Sequence, residues 1–177
     1  MARERLAALF TAEHEAVARY VRRRASPDLV DDAVAETFLV ACRKPSAIPA
    51  DPLPWLLGIA RRVLATQRRS AKRRVLLATR AATSLPSAVT GEDSELAVVT
   101  EALGKLSDSD REAITLIAWD GLTTAQAAVA MGTSHVAFRA RVSRARKRLQ
   151  RELDAAQSSQ ASARTTHLAV RKENAAS

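Results

Sequence analysis

The chain has 177 residues and a formal net charge of +9, which suits one medium domain or two small ones and favours a polyanionic partner. Hydrophobic residues make up 47% of the sequence but aromatic residues only 3%, so we expect an aliphatic, helix-packed core rather than a β-sandwich. Cys42 is the single cysteine, which excludes an internal disulfide, and the three histidines are not spaced for a metal site. No segment predicts a membrane span, and we expect a cytoplasmic protein. We expect neither a metal nor a cofactor.

The N-terminal part predicts two amphipathic helices. Apolar residues recur at three- and four-residue intervals over Leu6–Val21, which predicts a first helix from about Arg3 to Arg24. Ser26-Pro27-Asp28 breaks this helix and caps a second one, which is expected to end near Lys44. Cys42 falls on the expected buried side of the second helix, so we interpret it as a packing residue rather than a redox switch.

A proline-rich loop is expected to separate the second helix from a third. Four prolines lie between Lys44 and Trp55 and deny this stretch helical continuity. Helical spacing resumes at Trp55, and arginine and lysine accumulate from there to Arg74. Trp55 itself could stack on a base or pack in the core, and its place at the head of an apolar stripe favours the core.

A composition change marks the boundary between two domains. Residues 76–92 contain no acid before Glu92, and Pro86 and Gly91 interrupt a run of small residues, which is typical of a flexible linker. The predicted fold class is therefore all-α, with two small helical domains joined by that linker. The expected parts are a helical domain at 1–75, a linker at 76–92, a second helical domain at 93–153 and a disordered tail at 154–177.

The second domain contains the pattern of a helix-turn-helix. Thr123 or Thr124 can cap a short helix that runs through Met131, and Ser134 can cap a longer helix after the turn at Gly132. The longer helix has one apolar face, and arginine and lysine cover the rest of it. A helix that packs on its neighbours while entering the major groove of DNA requires this arrangement.

The basic surface of that longer helix has two interpretations. It can be a solvated amphipathic face, or it can contact bases and phosphates. Because no acid lies between Gly121 and Arg151 to pair these cations, we favour contact with DNA. The first turns of the helix would then offer His135, Arg139 and Arg141 to base edges and phosphates.

Two parts of the chain resemble regions 2 and 4 of the extracytoplasmic-function group of bacterial sigma factors, in the order found in that family. Residues 32–38, Asp-Ala-Val-Ala-Glu-Thr-Phe, are similar to the family's Asp-Leu-Val-Gln-Glu-Thr-Phe of region 2, and residues 55–61 resemble its Trp-Leu-x-x-Ile-Ala-Arg. Residues 106–111, 121–123 and 141–146 look like region 4. The resemblance implies a sigma factor that binds core RNA polymerase and directs promoter recognition, melting and transcription initiation.

The resemblance also implies contacts with core RNA polymerase, through the clamp helices of its largest subunit and through its flap. Asp31, Asp32 and Glu36 would face the clamp helices. Their charge independently favours a basic protein partner, because an acidic patch does not bind DNA. An anti-sigma factor is a further candidate partner by analogy with the family.

The residues that would meet promoter DNA fall into two groups under the same resemblance. Those expected at the minus-ten element are Lys44, Pro45, Ser46, Ile48, Arg61, Arg62, Gln67, Arg68 and Arg69. Those expected at the minus-thirty-five element are Thr124, Ser134, His135, Val136, Arg139, Arg141 and Arg144. The proline-rich loop would capture a flipped base, and the arginines after it would hold phosphates.

Other functions remain as alternatives. A helix-turn-helix regulator would bind duplex DNA without acting as a polymerase subunit, and binding to core polymerase separates the two. An RNA-binding protein is disfavoured because aromatic residues for base stacking are scarce. An enzyme is not expected, since the sequence holds no glycine-rich phosphate loop, no nucleophile with a base in a recognisable motif and no metal spacing.

Overall fold

The computed structural model describes residues 2–78 and 94–174, and every regular element in these two ranges is an α-helix or a 3₁₀ turn. The predicted all-α class is thereby confirmed. Among the described residues, no helix has both the length and the apolar character that crossing a bilayer requires. The chain divides into two compact units, each with its own buried side chains.

Three N-terminal helices form most of the first unit. Helix α1 spans Ala2–Arg22, α2 spans Val30–Cys42 and α3 spans Pro52–Ala78, and each of the three contacts the other two. Their shared core is aliphatic with two aromatic members, and burying each large side chain contributes about 1.5–3 kcal/mol. The buried side chains include Val17, Tyr20, Val21, Val34, Phe38, Leu56, Leu57, Ile59 and Leu64.

Prolines shape both connections between these helices. Pro27–Leu29 and Pro45–Ala47 form single 3₁₀ turns. Helix α3 begins at Pro52, so the expectation that this helix starts at Trp55 is wrong by three residues. Pro52 and Pro54 fit the first helical turn, because the backbone N–H groups of that turn have no partner within the helix. The proline-rich loop is correspondingly shorter than the sequence indicated.

Two side chains bear on the burial expected from the sequence. Cys42 is exposed, which contradicts its expected packing role. It is the last residue of α2, where the buried face of that helix has already ended at Ala41. Trp55 is half-buried in the first turn of α3. Its burial therefore does not decide between a core residue and a residue that stacks on a base.

A later segment, Leu116–Phe138, packs within the first unit as well. It holds the end of α5 (Asp108–Ala118), all of α6 (Thr124–Met131) and the first residues of α7 (His135–Asn174). Helix α6 lies against α3. The sequence had grouped this segment with the second helical domain, whereas in the structure the backbone of Ala130 lies close to Gly58 of α3.

The second unit is built from α4 (Ser94–Gly104), most of α5, and α7 from Arg139 onward. Small and branched aliphatic side chains fill its core, as the composition predicts. The buried residues are Ala102, Leu103, Leu106, Ala113, Val142 and Ala145. Asp110 is buried among them and is 4% exposed.

The C-terminal part of the chain differs from its prediction. Helix α7 continues to Asn174, although the sequence predicted a disordered tail at 154–177. No glycine or proline follows Gly132, and alanine is frequent beyond Asp154, so nothing in this sequence ends the helix. Of the predicted linker at 76–92, residues 76–78 belong to α3 and the rest lies outside the described residues.

Candidate nucleic-acid interface

Helices α6 and α7 form the predicted helix-turn-helix, with each helix start capped by a side chain. The Oγ1 atom of Thr123 accepts from the backbone N–H of Gln126 at 3.2 Å, and the Gln126 side chain accepts from the Thr123 N–H at 3.0 Å. Gly132 ends α6 with φ of 64°, in the left-handed region that favours glycine. The Oγ atom of Ser134 then accepts from the N–H of Ala137 at 3.2 Å. These caps fix where the second helix of the motif begins.

The first turns of α7 separate an inner face from an outer face. Phe138 is fully buried and Val142 is 5% exposed, whereas Val136 is 79% exposed. Ser134, His135, Arg139 and Arg144 are also exposed. A valine this exposed makes no contribution to a core, but its methyl groups suit apolar contact with a thymine methyl group in a major groove.

Thr124 and His135 link the starts of the two helices. Thr124 Oγ1 lies 2.8 Å from His135 Nε2, within hydrogen-bond distance. The structure thus brings together two residues that the sequence predicted at one interface. This hydrogen bond limits the rotamers of both side chains, which reduces the entropy lost when they meet a ligand.

Asp110 anchors α7 from inside the second unit. It pairs with Arg141 at 3.5 Å and with Arg148 at a shorter distance, and its own side chain is 6% exposed. The inference that no acid pairs the cations of this helix is therefore wrong. It considered only nearby sequence, whereas Asp110 precedes Arg148 by 38 residues. Arg141 is consequently held by a carboxylate as well as being half-exposed.

The remaining cations of α7 point to a surface for a polyanion. In the described part of the chain, no ion pair involves Arg139, Arg144, Arg146 or Lys147, and all four are exposed. Unpaired guanidinium and ammonium groups along one helix are what phosphate contacts require, since binding releases counterions from the nucleic acid. The helix therefore keeps a cationic surface after Asp110 has taken its two partners.

A second cationic surface lies on α3. Arg62, Arg68 and Arg69 are exposed, and Arg61 is half-buried. Arg68 donates to the backbone carbonyl of Arg24 at 2.7 Å, and Arg69 donates to Thr66 Oγ1 at 3.2 Å. The predicted minus-ten arginines thus share one helix, but they differ in how far their guanidinium groups are already engaged.

The loop before α3 and a groove beside it complete this surface. Lys44, Pro45 and Ser46 are exposed, and Ile48 is half-buried. Between α2 and α3 lies an open groove of about 390 Å³. Its lining residues are Glu36, Val40, Ile59, Arg62, Val63, Thr66 and Gln67. The Oε1 atom of Gln67 is buried and has no hydrogen-bond partner among the described residues.

The predicted polymerase-binding residues lie on α2. Asp31 and Asp32 are exposed in its first turn, and Glu36 is half-buried at the edge of the groove. No ion pair within the described residues involves any of the three. A helix N-terminus favours the first two carboxylates, but Glu36 lies beyond the turn in which that effect acts. An unpaired carboxylate at this position suits a basic partner surface.

Comparisons with known proteins agree on one kind of relative. A family model described as sigma-70, region 4 matches residues 96–149. The chain is 33% identical over 139 residues to the RNA polymerase sigma factor NccH of Alcaligenes xylosoxydans xylosoxydans, which covers 72% of this chain and 75% of that protein.

Two solved structures resemble this chain over most of its length. One is the sigma factor RpoE in complex with the anti-sigma factor NepR from Bartonella quintana, with a TM-score of 0.62 and 27% identity over 82% of this chain and 94% of that one. The other is CnrH in complex with the cytosolic domain of CnrY, with a TM-score of 0.59 and 28% identity over 86% of this chain and 90% of that one.

Proposed function

The chain belongs to the RNA polymerase sigma factors of the extracytoplasmic-function group, and we propose that it divides promoter recognition between two helical modules. As a member of that group it directs promoter-specific transcription initiation by RNA polymerase. Residues 1–75 form the module for core polymerase and the minus-ten element in this proposal. Residues 93–153 form the module for the minus-thirty-five element, and residues 76–92 join the two. A regulator that binds duplex DNA without polymerase is not favoured.

The minus-thirty-five contact is proposed at the start of α7. The observation that carries it is the exposed Arg139, which has no ion pair among the described residues, one turn after the 79% exposed Val136 on a helix whose start is fixed by Ser134. Arginine reads guanine through two hydrogen bonds and valine meets a thymine methyl group, so the two side chains can read neighbouring base pairs. Thr124, His135, Arg141 and Arg144 extend this surface to the flanking phosphates.

The minus-ten contact is proposed on the loop and on α3. The exposed loop residues Lys44, Pro45 and Ser46, together with Ile48, would receive an unpaired base. The α3 residues would hold the phosphates of the same strand through Arg61, Arg62, Gln67, Arg68 and Arg69. Capturing an unstacked base offsets part of the few kcal/mol that strand opening costs, so this surface supports promoter melting.

Core polymerase is proposed to bind the acidic surface of α2. Asp31, Asp32 and Glu36 have no internal cationic partner among the described residues, which leaves them for basic residues of the clamp helices. The flap would contact the helix-turn-helix module. An anti-sigma factor is a further proposed partner, since the similar RpoE structure holds one. The proposal gives the chain no catalytic step of its own.

In vitro transcription with purified core polymerase and a promoter library tests the DNA-reading role of Arg139. Arg139→Ala should relax preference at one base position by about 10- to 100-fold, since a bidentate base contact contributes about 1–3 kcal/mol. Arg146→Ala is the matched control, because it removes an exposed arginine two turns further along the same face. Arg146→Ala should weaken binding to all promoters alike and reduce the salt dependence of that binding. Identical effects of the two changes would remove the base-reading role.

Titration of the chain against core polymerase tests the acidic surface. Asp32→Asn and Glu36→Gln should each weaken the complex by about threefold to tenfold, chiefly through slower association. Glu15→Gln is the control, because it neutralises an exposed carboxylate on α1 that pairs with Arg22. If Glu15→Gln weakened the complex as much as Glu36→Gln did, the effect would reflect net charge and not this surface.

A further inference from the structure

We infer that the α6 segment, residues 116–138, is an intramolecular partner of the N-terminal helices and holds the chain in a closed state that competes with minus-ten DNA. The inference rests on the proposed function for the identity of the competing ligand. The contacts themselves do not depend on it. They join residues far apart in sequence at three places: just after α1, on α3 and in the loop before α3.

A buried carboxylate anchors the α6 segment to the end of α1. Asp120 pairs with Arg23 at 3.0 Å and with Arg24 at 2.7 Å, and its side chain is 5% exposed. Arg23 also donates to the backbone carbonyl of Trp119 at 2.8 Å. The Arg24 guanidinium lies 3.7 Å from the centre of the Tyr20 ring, which holds it against the core. Two guanidinium groups on one desolvated carboxylate form a geometrically specific contact.

The α6 and α3 helices approach at backbone distance. A Cβ atom at Gly58 would lie 3.0 Å from the carbonyl oxygen of Ala130, so a larger residue here would require α6 to shift by a few tenths of an ångström or more. Ala127, Ala128 and Ala130 are buried on the same short helix. Small side chains on both helices let them approach this closely, which maximises dispersion contacts.

Two polar contacts involve the proposed minus-ten surface directly. Arg61 donates from Nη2 to the carbonyl of Met131 at 3.2 Å, and the Nε2 of Gln126 donates to Asp51 at 2.9 Å. Arg61 is one of the residues proposed to hold DNA phosphates, and Asp51 ends the loop proposed to receive a base. The Arg61 guanidinium cannot keep its hydrogen bond to the Met131 carbonyl and also turn toward a DNA phosphate. Docking of α6 and binding of the strand therefore compete.

Closure is tested first, on the full chain, by distance measurement between two spin labels. Cys42 is exposed and is the only cysteine, so it takes one label, and Ala125→Cys on the exposed side of α6 takes the other. The labelled chain should give one narrow distance distribution. Asp120→Asn and Gly58→Leu should both broaden it, the first by removing the anchor and the second by filling the close contact. Circular dichroism checks that both variants keep their helices.

Binding of a fluorescein-labelled random single-stranded DNA 12-mer then tests competition. Releasing α6 should tighten binding by about tenfold, since apparent affinity scales with the fraction of binding-competent chain. Asp108→Asn is the matched control: it adds the same charge by changing an 89% exposed carboxylate whose only ion pair among the described residues is with Arg111 of its own helix. Asp120→Asn must raise the affinity for the 12-mer by more than this control does. The gain in affinity should disappear when Arg61→Ala is added.

Two kinds of result would overturn the inference. A broad distribution in the unsubstituted labelled chain, or an unchanged one in both variants, would overturn the closed state. Broadening without tighter DNA binding than Asp108→Asn would overturn the competition. The spin-label measurement uses no polymerase and no promoter, so its result is independent of transcription by the holoenzyme. A chain that closes but never initiates transcription would refute the proposed function and leave the closed state intact.

Discussion

The ion pairs of Asp110 make a quantitative prediction about α7. The Asp110 side chain is 6% exposed, whereas those of Arg141 and Arg148 are 39% and 51% exposed. Breaking a fully buried pair costs about 3–5 kcal/mol, and breaking an exposed pair costs about 0–1 kcal/mol. Because both guanidinium groups can regain water once the carboxylate is neutralised, we expect Asp110→Asn to lower the free energy of unfolding by about 1–2 kcal/mol.

Thermal unfolding of Asp110→Asn beside Asp108→Asn measures this loss. The two aspartates lie in the first turn of α5, so both variants lose the same charge and the same interaction with the helix dipole. Only Asp110 is buried. For a chain of this length, about 1–2 kcal/mol corresponds to a Tm lower by roughly 2–8 °C. If Asp110→Asn melts no earlier than Asp108→Asn, these ion pairs do not hold α7 and the reasoning is refuted.

Two further changes test the core and one perturbed carboxyl. Leu56 is 0% exposed, so Leu56→Ala should lower the free energy of unfolding by about 2–5 kcal/mol in chemical denaturation. Leu39 is 52% exposed, so Leu39→Ala should change it by less than about 0.5 kcal/mol. Equal losses of stability in the two variants would contradict the assigned core. Burial and then the charge of Asp51 raise the pKa of Glu13, so ionisation of this carboxyl opposes folding at neutral pH. Glu13→Gln should therefore raise Tm at pH 7, and the difference should shrink as the pH falls through the raised pKa, where the unsubstituted protein becomes protonated. A constant difference between pH 3 and pH 7 would exclude this cause.

The helices of the chain could be predicted because their signals are local. Apolar spacing gave the three N-terminal helices, and the caps at Thr123 and Ser134 gave the helix-turn-helix. The start of α3 was misplaced because proline was read as a helix breaker, although the first turn tolerates it. The length of α7 was underestimated because low apolar content was taken as disorder, although it does not prevent helix formation.

The partners of individual charged side chains could not be predicted. Asp110 meets Arg148 across 38 residues, and Arg61 meets the carbonyl of Met131 across 70. Periodicity and capping describe neighbours within a turn or two of one helix, so they carry no information about such pairs. The exposure of His135 and Arg139 could be predicted, because it follows from the helical face, whereas their contact with DNA stays a prediction.

The two hydrogen bonds of the Gln126 side chain restrict which residues can replace it. Its oxygen accepts from the Thr123 N–H at the start of α6, while its nitrogen donates to Asp51 at 2.9 Å. Glutamate satisfies a capping box as well as glutamine does, but here it would place a further carboxylate against Asp51, beside Glu13. Folding of the short helix alone would tolerate either side chain, whereas the tertiary contact admits only the amide. A homologue with glutamate here should therefore keep its helix and lack this contact, unless its counterpart of Asp51 has changed too.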